Sequence, residues 1–300
     1  MEIVSVNVSK EYKIKKGLFK SETIMAISDF NYVIKQGDII GIMGIRGSGK
    51  STVINLLSGR DLPTSGQILV DNQIDYAKLR SSCEIITSLE EKKLLKNETV
   101  YNNLVHFGNK YKLDSLSVEK NISTLKEIFE LDKIINKKIG DISNLDLIKV
   151  NIVISMLKNS PVLFFDGSLA NLKTVERNII LKVLKRLNKE FKTTIIVSGV
   201  DLIDIEKISK RLTLIQDGKI IRDDLFDKVK NEFWNHKEVS IVFNKSYTIP
   251  EGEFEILENS DYLLRVRVDF KKCDFATLIN QFDINTIVDI NISNVPLTCL

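Results

Sequence analysis

Short apolar runs alternate, over the first two thirds of the chain, with longer segments in which apolar residues recur every three or four positions. DIIGIMG (38–44), VLFFD (162–166) and TTIIVSG (193–199) are apolar on successive residues, as strands buried on both faces are. Helical spacing is found at 51–59, 113–137, 145–158 and 174–190. Strands that alternate with helices predict an α/β fold with a parallel sheet covered on both sides.

The pattern changes after about residue 225. KEVSIVF, EFEIL, YLLRVRVDF and TIVDINIS alternate between apolar and polar residues, as half-buried strands do, and FATLINQF has helical spacing. The charged segment DKVKNEFWNHK (227–237) precedes them and is expected to be a linker. We therefore predict a first domain of residues 1–228, with a helical subdomain at about 88–160, and a small α+β domain of residues 229–300.

Composition describes an ordinary globular protein, with 43% hydrophobic and 28% charged residues. The net charge of +3 is small and dispersed, so no nucleic-acid partner is expected. One basic cluster, KIKKGLFK (13–20), is expected to be a solvated loop, with contact to an anionic membrane surface as the alternative. No stretch approaches the roughly 20 apolar residues of a spanning helix, and the N-terminus has no signal-peptide pattern.

Cysteine and histidine usage excludes some kinds of site. The three cysteines are scattered and lack metal-binding spacing, which favours a reducing compartment, and two distant histidines cannot form a histidine-rich metal centre. A cytoplasmic protein is therefore expected, unless a partner brings it to a membrane.

A phosphate-binding loop is predicted where GIRGSGKS (44–51) fits the pattern G-x-x-x-x-G-K-[ST] between a predicted strand and helix. Its glycines let backbone N–H groups face phosphate oxygens, and the start of the helix presents its positive end to them. The residues expected to hold the nucleotide are Gly44, Ile45, Arg46, Gly47, Ser48, Gly49, Lys50, Ser51 and Thr52. Lys50 would reach the β- and γ-phosphates, and Ser51 would bind Mg²⁺.

A carboxylate ends one of the buried strands. Asp166 is the last residue of VLFFD, a position from which an aspartate can orient the water ligands of Mg²⁺. The chain lacks the guanine-reading pattern N-K-x-D, which argues against a GTPase. The predicted ligand is therefore a Mg²⁺-bound nucleoside triphosphate other than GTP.

Four segments resemble the nucleotide-binding subunit of ABC transporters: VSKEY, AISDFNYVIKQGDIIGIMGIRGSGKST, LPTSGQILVDNQ and SGVDLIDIEKISKRLTLIQDGKII. The resemblance covers residues 1–225. It implies a P-loop NTPase fold with a RecA-like core and a helical subdomain, ATP as ligand, and Tyr12 stacked on adenine. The basic insertion after Tyr12 and the α+β tail are similar to the viologen- and daunorubicin-exporter-like branch, whose members pair with separate membrane permeases.

Several positions depart from the family pattern. Gly167 stands where the family has its catalytic glutamate, Val200 where it has the switch histidine, and Lys173 where it has the D-loop aspartate. A glutamate displaced in the alignment is the alternative, and Glu176 is the nearest downstream acid. Loss of a positioned general base typically costs about 10²–10⁴-fold in rate. Hydrolysis is therefore expected to be impaired or absent, although the family is one of ATPases.

Two other motifs are altered. The family signature, which contacts the γ-phosphate of ATP on the opposite subunit, is replaced by ISNLD (142–146). Ser143 is retained, but Asn144 and Leu145 replace glycines, and a branched side chain obstructs close backbone approach. The Q-loop glutamine is replaced by Glu90 or Glu91, and Glu90 is a candidate Mg²⁺ ligand.

The resemblance implies an ATP-binding subunit of an ABC exporter at the cytoplasmic face of the cell membrane. Its expected role is ATP-gated dimerisation with a second nucleotide-binding subunit, identical or different, and coupling to a membrane permease. A groove around NETVYNNLVHFGNKY would receive the permease. The alternative is a soluble ATP-sensing regulatory module that has no permease.

Overall fold

A computed structural model describes residues 1–16, 20–87, 94–199, 202–233, 235–250 and 252–295, which form two compact units, Met1–Asp223 and Asp224–Leu300. The elements of the first unit are β1 (Ile3–Lys16), β2 (Lys20–Ile34), β3 (Ile39–Met43), α1 (Lys50–Leu57), β4 (Ser65–Val70), α2 (Tyr76–Ser82), β5 (Cys83–Thr87), α3 (Val100–Lys110), α4 (Ser115–Ile128), α5 (Asn144–Leu157), β6 (Val162–Asp166), α6 (Thr174–Phe191), β7 (Thr194–Ser198), α7 (Leu202–Ile208), β8 (Arg211–Gln216) and β9 (Lys219–Leu225).

The larger sheet has the order β5-β6-β7-β3-β8-β9, and its pairings from β5 to β8 are parallel. Its central strands are buried along their length, with Ile40, Ile42, Phe164 and Ile196 fully removed from solvent. A strand buried on both faces can be apolar at every position, which is the pattern seen in the sequence. The structure confirms the predicted α/β fold.

A second, antiparallel sheet contains β2, β1 and β4 in that order. The basic cluster that the sequence analysis expected to be a loop belongs largely to this sheet, because Lys13 pairs with Thr23 and Lys15 with Ser21. The ladder between β1 and β2 continues beyond Ser9, the last residue of β1 that pairs with β4. The expected loop was wrong for these residues, and residues 17–19 lie outside the described part of the chain.

Helices α3, α4 and α5 pack together through apolar side chains, including Leu104, Phe107, Ile122 and Leu125. The predicted helix 113–137 is shorter, since α4 ends at Ile128 and a 3-10 turn follows at Leu131–Lys133. Glu130 takes a left-handed conformation between the two, with φ of 53°, which interrupts the helix. Within the described residues, no helix combines the length and apolar character that a bilayer span needs.

The second unit contains α8 (Phe226–Phe233), β10 (His236–Phe243), β11 (Phe254–Asn259), β12 (Leu263–Asp269), α9 (Phe275–Ile279) and β13 (Ile287–Asn294). Its antiparallel sheet has the order β11-β12-β10-β13, and Val239, Ile241 and Val266 pack in a core with Leu278 of α9.

The expected linker at 227–237 is wrong, because most of it is helix α8 and the start of β10. Phe226 and Val229 are buried one helical turn apart, and burial of that face stabilises the helix.

A buried ionic network joins α6 to α7 in the first unit. Asp204 is 4% exposed, and its two carboxylate oxygens accept hydrogen bonds from Arg177 Nη1 at 2.6 Å and Lys207 Nζ at 2.9 Å. Arg177 Nη2 also donates to the carbonyl of Leu172 at 3.2 Å, which ties the network to the segment after β6.

Asp204→Ala should lower the free energy of unfolding by about 3–5 kcal/mol, because Arg177 would keep a largely buried charge without this carboxylate. Urea denaturation of the full chain measures the change. Asp132→Ala is the matched control, since its ion pair with Lys126 is exposed and should be worth less than about 1 kcal/mol. Equal losses of unfolding free energy in both variants would contradict the stabilising role given to the buried network of Asp204.

Candidate nucleotide-binding site

Three strand ends meet at one level of the parallel sheet. Ser198 of β7 is in register with Ile42 of β3 and with Asp166 of β6. The Ser198 hydroxyl donates to Asp166 Oδ1 at 2.8 Å, which orients the carboxylate. The glycine-rich loop that follows β3 therefore begins at the same edge of the sheet as Asp166, with β7 between β3 and β6.

The loop reaches α1 through glycines in the left-handed region. Gly47 has φ of 86°, and Gly49, directly before α1, has φ of 105°. A Cβ at Gly49 would lie 2.8 Å from Ile27 Cδ1 and 3.0 Å from the Ala26 carbonyl, so both backbone conformation and space require glycine there. Helix α1 begins at Lys50, and its unpaired N–H groups face the loop.

Lys50 lies over the loop. Its Nζ donates to the carbonyls of Gly44 at 2.7 Å and Ile45 at 2.6 Å, and to Ser48 Oγ at 3.3 Å. Partial burial lowers the pKa of Lys50, while the negative charge of Asp166 opposes that shift. The loop, Lys50 and Asp166 are thus brought together as the sequence predicts for a phosphate and metal site.

A pocket of about 390 Å³ opens beside the loop. Its walls are residues 47 and 49–52, residues 24–26 of β2, and the turn at Asp217 and Gly218. Ile24 and Met25 are 43% and 50% exposed, so β2 presents apolar surface to the pocket. The sequence alone does not identify these pocket residues, because their position depends on how β2 pairs with β1.

Tyr12 is tied to the segment that follows α1. Its hydroxyl donates to Asp61 Oδ2 at 2.9 Å, and Lys10 Nζ lies 5.1 Å from its ring centroid. Burial and the hydrogen bond to Asp61 raise the pKa of Tyr12. Tyr12 is paired across the strands with Ile24, which places it beside the pocket. The sequence offers no signal for the contact with Asp61, which is 49 residues away.

The segment that the sequence resemblance aligns with the family signature forms the N-terminus of α5. Ser143 is the cap: its hydroxyl accepts from the Asp146 amide at 3.2 Å and donates to Asp146 Oδ2 at 2.8 Å. Asn144 is exposed and Leu145 is half-buried. Asp146 was not among the predicted site residues, although S-x-x-D is a known capping pattern. The Ser143 hydroxyl is therefore already engaged in a hydrogen bond to the Asp146 carboxylate.

Glu176, the alternative catalytic acid, is engaged in helix capping. Its carboxylate accepts from the backbone N–H of Lys173 at 2.9 Å, in the first turn of α6. Glu90, Glu91 and Val200 lie outside the described residues.

Gly167, which the sequence resemblance aligns with the family glutamate, packs against Gly199. Gly167 has φ of 66°, and its N–H donates to the Ser198 carbonyl at 3.2 Å. Gly199 has φ of 72°, and a Cβ there would lie 2.8 Å from the Cα of Gly167. The two strand ends approach so closely because Gly199 lacks a side chain, whereas a Cβ on Gly167 would meet nothing within 4 Å.

Comparison with known proteins gives consistent matches. The profile of the family described as ABC transporter matches residues 27–170, which include the loop, α5 and Asp166. The methionine import ATP-binding protein MetN 2 of Bacillus licheniformis is 30% identical over 241 residues, 75% of this chain and 67% of the relative. The chain thus spans about two thirds of that relative's length.

Two further proteins match over most of their length. The energy-coupling factor transporter ATP-binding protein EcfA2 of Clostridium tetani is 27% identical over 80% of this chain and 90% of its own. The ATP-binding cassette MJ0796, solved as a dimer in a post-hydrolysis state bound to ADP and Pi, is 26% identical with a TM-score of 0.62. That match covers 75% of this chain and 98% of MJ0796.

Gly167→Ala should lower the free energy of unfolding by about 1–2 kcal/mol, because an L side chain disfavours the left-handed conformation. Gly199→Ala should cost more, since its Cβ would also meet the backbone of Gly167. Gly140→Ala is the control, because its Cβ has 3.4 Å to its nearest neighbour and no left-handed φ. Urea denaturation measures all three, and a Gly199 variant as stable as the control would refute this packing.

Proposed function

This chain belongs to the ABC transporter family, and from that premise we propose that it is the ATP-binding subunit of an ABC exporter that holds Mg-ATP and hydrolyses it weakly or not at all. The observation that carries the proposal is the loop at 44–49, with Lys50 above it and Asp166 at the same edge of the sheet. Gly167, which the resemblance aligns with the family's catalytic glutamate, directly follows Asp166.

The residues present fit Mg-ATP. The space around Gly47 is open to a phosphate, since a Cβ there would meet nothing within 4 Å. The N-terminus of α1 and the Lys50 ammonium supply positive charge beside it. Ser51 and Asp166 offer the oxygen ligands that Mg²⁺ prefers, with Glu90 as a further candidate from the sequence. Bound Mg²⁺ would offset phosphate charge. Tyr12, Ile24 and Met25 supply apolar surface for the base.

The proposed loss of hydrolysis rests on the polypeptide around Gly167. A glycine cannot serve as general base, and the left-handed φ of Gly167 disfavours a glutamate at the same position. Glu176 is engaged at the N-terminus of α6. Val200, which the sequence places at the histidine position, has no hydrogen-bonding group to offer a transition state.

We propose that ATP drives association with a second nucleotide-binding subunit. MJ0796, a relative of similar fold, was solved as a dimer. In this chain the signature serine is bonded to Asp146, and a carboxylate there would repel a phosphate from another subunit. With an intact partner, this chain's ATP would therefore meet an unaltered signature, whereas the partner's ATP would meet ISNLD.

Permease coupling is the second part of the proposal. The segment around α3 would receive the membrane subunit, which would hold the chain at the cytoplasmic face of the cell membrane. We assign export because the insertion after Tyr12 and the α+β unit resemble exporter subunits. The named relatives are import and energy-coupling proteins, so import is the competing direction.

A regulatory ATP-sensing module without a permease is the second candidate, favoured by the altered catalytic positions alone. Affinity purification of the tagged full chain from its own cells distinguishes the two, because a transporter subunit should retain an integral membrane protein in mild detergent. Recovery of the chain without any membrane protein, at native expression, would favour the regulatory module.

The isolated chain should bind Mg-ATP, and Lys50→Ala should weaken binding at least about tenfold, because a charge-assisted contact to phosphate is lost. Isothermal titration calorimetry measures the affinity. Lys182→Ala, an exposed lysine of α6, is the control and should bind as the unmodified chain does. ATP turnover, followed by phosphate release, should stay near background, so robust turnover by the purified chain would refute the loss of hydrolysis.

A further inference from the structure

Tyr12 is held by two residues that contact each other. Asp61 accepts from the Tyr12 hydroxyl through Oδ2 and from Lys10 Nζ through Oδ1, at 2.9 Å and 2.7 Å. Lys10 Nζ also donates to the Leu62 carbonyl at 2.8 Å, and its side chain is only 13% exposed. The three side chains form one network, which we name the Tyr12 clamp: Lys10, Tyr12 and Asp61.

The charges within the clamp stabilise one another. Burial alone would raise the pKa of Asp61, but the hydrogen bonds from Lys10 and Tyr12 and from the Leu62 amide lower it overall. Asp61 therefore remains an anion that accepts from both neighbours. Lys10, in turn, stands over the Tyr12 ring at a distance suited to a cation–π contact.

The clamp lies beside the pocket of the phosphate-binding loop. Tyr12 pairs with Ile24, which lines that pocket together with Lys50. The Thr52 side chain, one residue after Ser51, lies near enough to Tyr12 to oppose the rise in its pKa. Because Lys10 covers one face of the ring, a flat ligand can stack only on the opposite face.

We infer that Asp61 is a positioning residue for nucleobase binding. It fixes the orientation of the Tyr12 ring before the nucleotide arrives, so that less side-chain freedom is lost when the base stacks. Lys10 acts through Asp61 and selects the face of the ring that is used. The inference rests on the proposed function, because it concerns the base of the same nucleotide.

A purely structural role for Asp61 is the competing explanation. The Asp61 amide donates to the Asn55 carbonyl at 3.1 Å, and Oδ1 accepts from the Leu62 amide at 2.8 Å, so Asp61 also shapes the segment after α1. A structural defect would disturb the phosphate-binding loop and the base site together. A positioning role affects only ligands that have a base.

The test compares ATP with inorganic tripolyphosphate, which has the phosphates but no base. The full chain is titrated calorimetrically with each ligand in the presence of Mg²⁺. Asp61→Ala should weaken ATP binding about 3- to 10-fold and leave tripolyphosphate binding unchanged. Asp61→Asn keeps an oxygen acceptor for the Tyr12 hydroxyl and should restore most of the affinity. Asp71→Ala is the matched control, because it removes a Lys–Asp pair of equal length, 2.7 Å, elsewhere on the unit.

A double-mutant cycle tests whether Asp61 acts through Tyr12. Tyr12→Phe keeps the ring but removes the hydroxyl, so it should weaken ATP binding as Asp61→Ala does, and the double variant should lose little more. Additive losses, or equal losses of ATP and tripolyphosphate, would overturn the inference. Unchanged ATP binding in both single variants would overturn it and leave the proposed function standing. If the unmodified chain binds neither ligand, the proposed function fails and this inference fails with it.

Discussion

The parallel pairing of β3, β7 and β6 is the constraint on which the site depends. Parallel strands end at a common edge, so the loop after β3, the hydroxyl of Ser198 and the carboxylate of Asp166 are brought together by register alone. Hydrogen bonds then fix the details: Ser198 orients Asp166, and the Gly218 N–H donates to the Ser48 carbonyl at 3.0 Å. A shift of any one strand by a residue would separate these groups.

Charge at this edge is balanced by neighbouring groups. Lys50 is partly buried, which disfavours its ammonium form, yet it stays close to Asp166 and to two loop carbonyls that accept its hydrogen bonds. The left-handed conformations at Gly47 and Gly49 turn the backbone toward α1 and its positive end. A polyanion is the ligand class that satisfies such a concentration of N–H groups and positive charge.

Local patterns predicted the parts of the structure that depend on adjacent residues. The strand at VLFFD, the glycine-rich loop and the helix at Lys50 each lie within a few residues, so period and motif identify them. Two contacts join segments that are far apart in the sequence: Tyr12 with Asp61, and Gly167 with Gly199. Local patterns in a single sequence do not show which distant segments will meet. Helix α8 was mistaken for a linker because its charged residues outnumber Phe226 and Val229, the two whose burial stabilises it.

The proposed binding groups and the positions proposed to be catalytically altered lie on different elements of the fold. Tyr12, Lys50 and Ser51 belong to the β1–β2 ladder and to α1, whereas Gly167 and Gly199 belong to the ends of β6 and β7, and Ser143 to the start of α5. Substitutions around Gly167 therefore leave the hydrogen bonds of Lys50 and Asp61 in place. Asp166 is the exception, since it ends β6 directly before Gly167. The hydrogen bond from Ser198 to Asp166 is made within the sheet, before the chain turns at Gly167. It therefore orients the carboxylate without using the side chain at position 167.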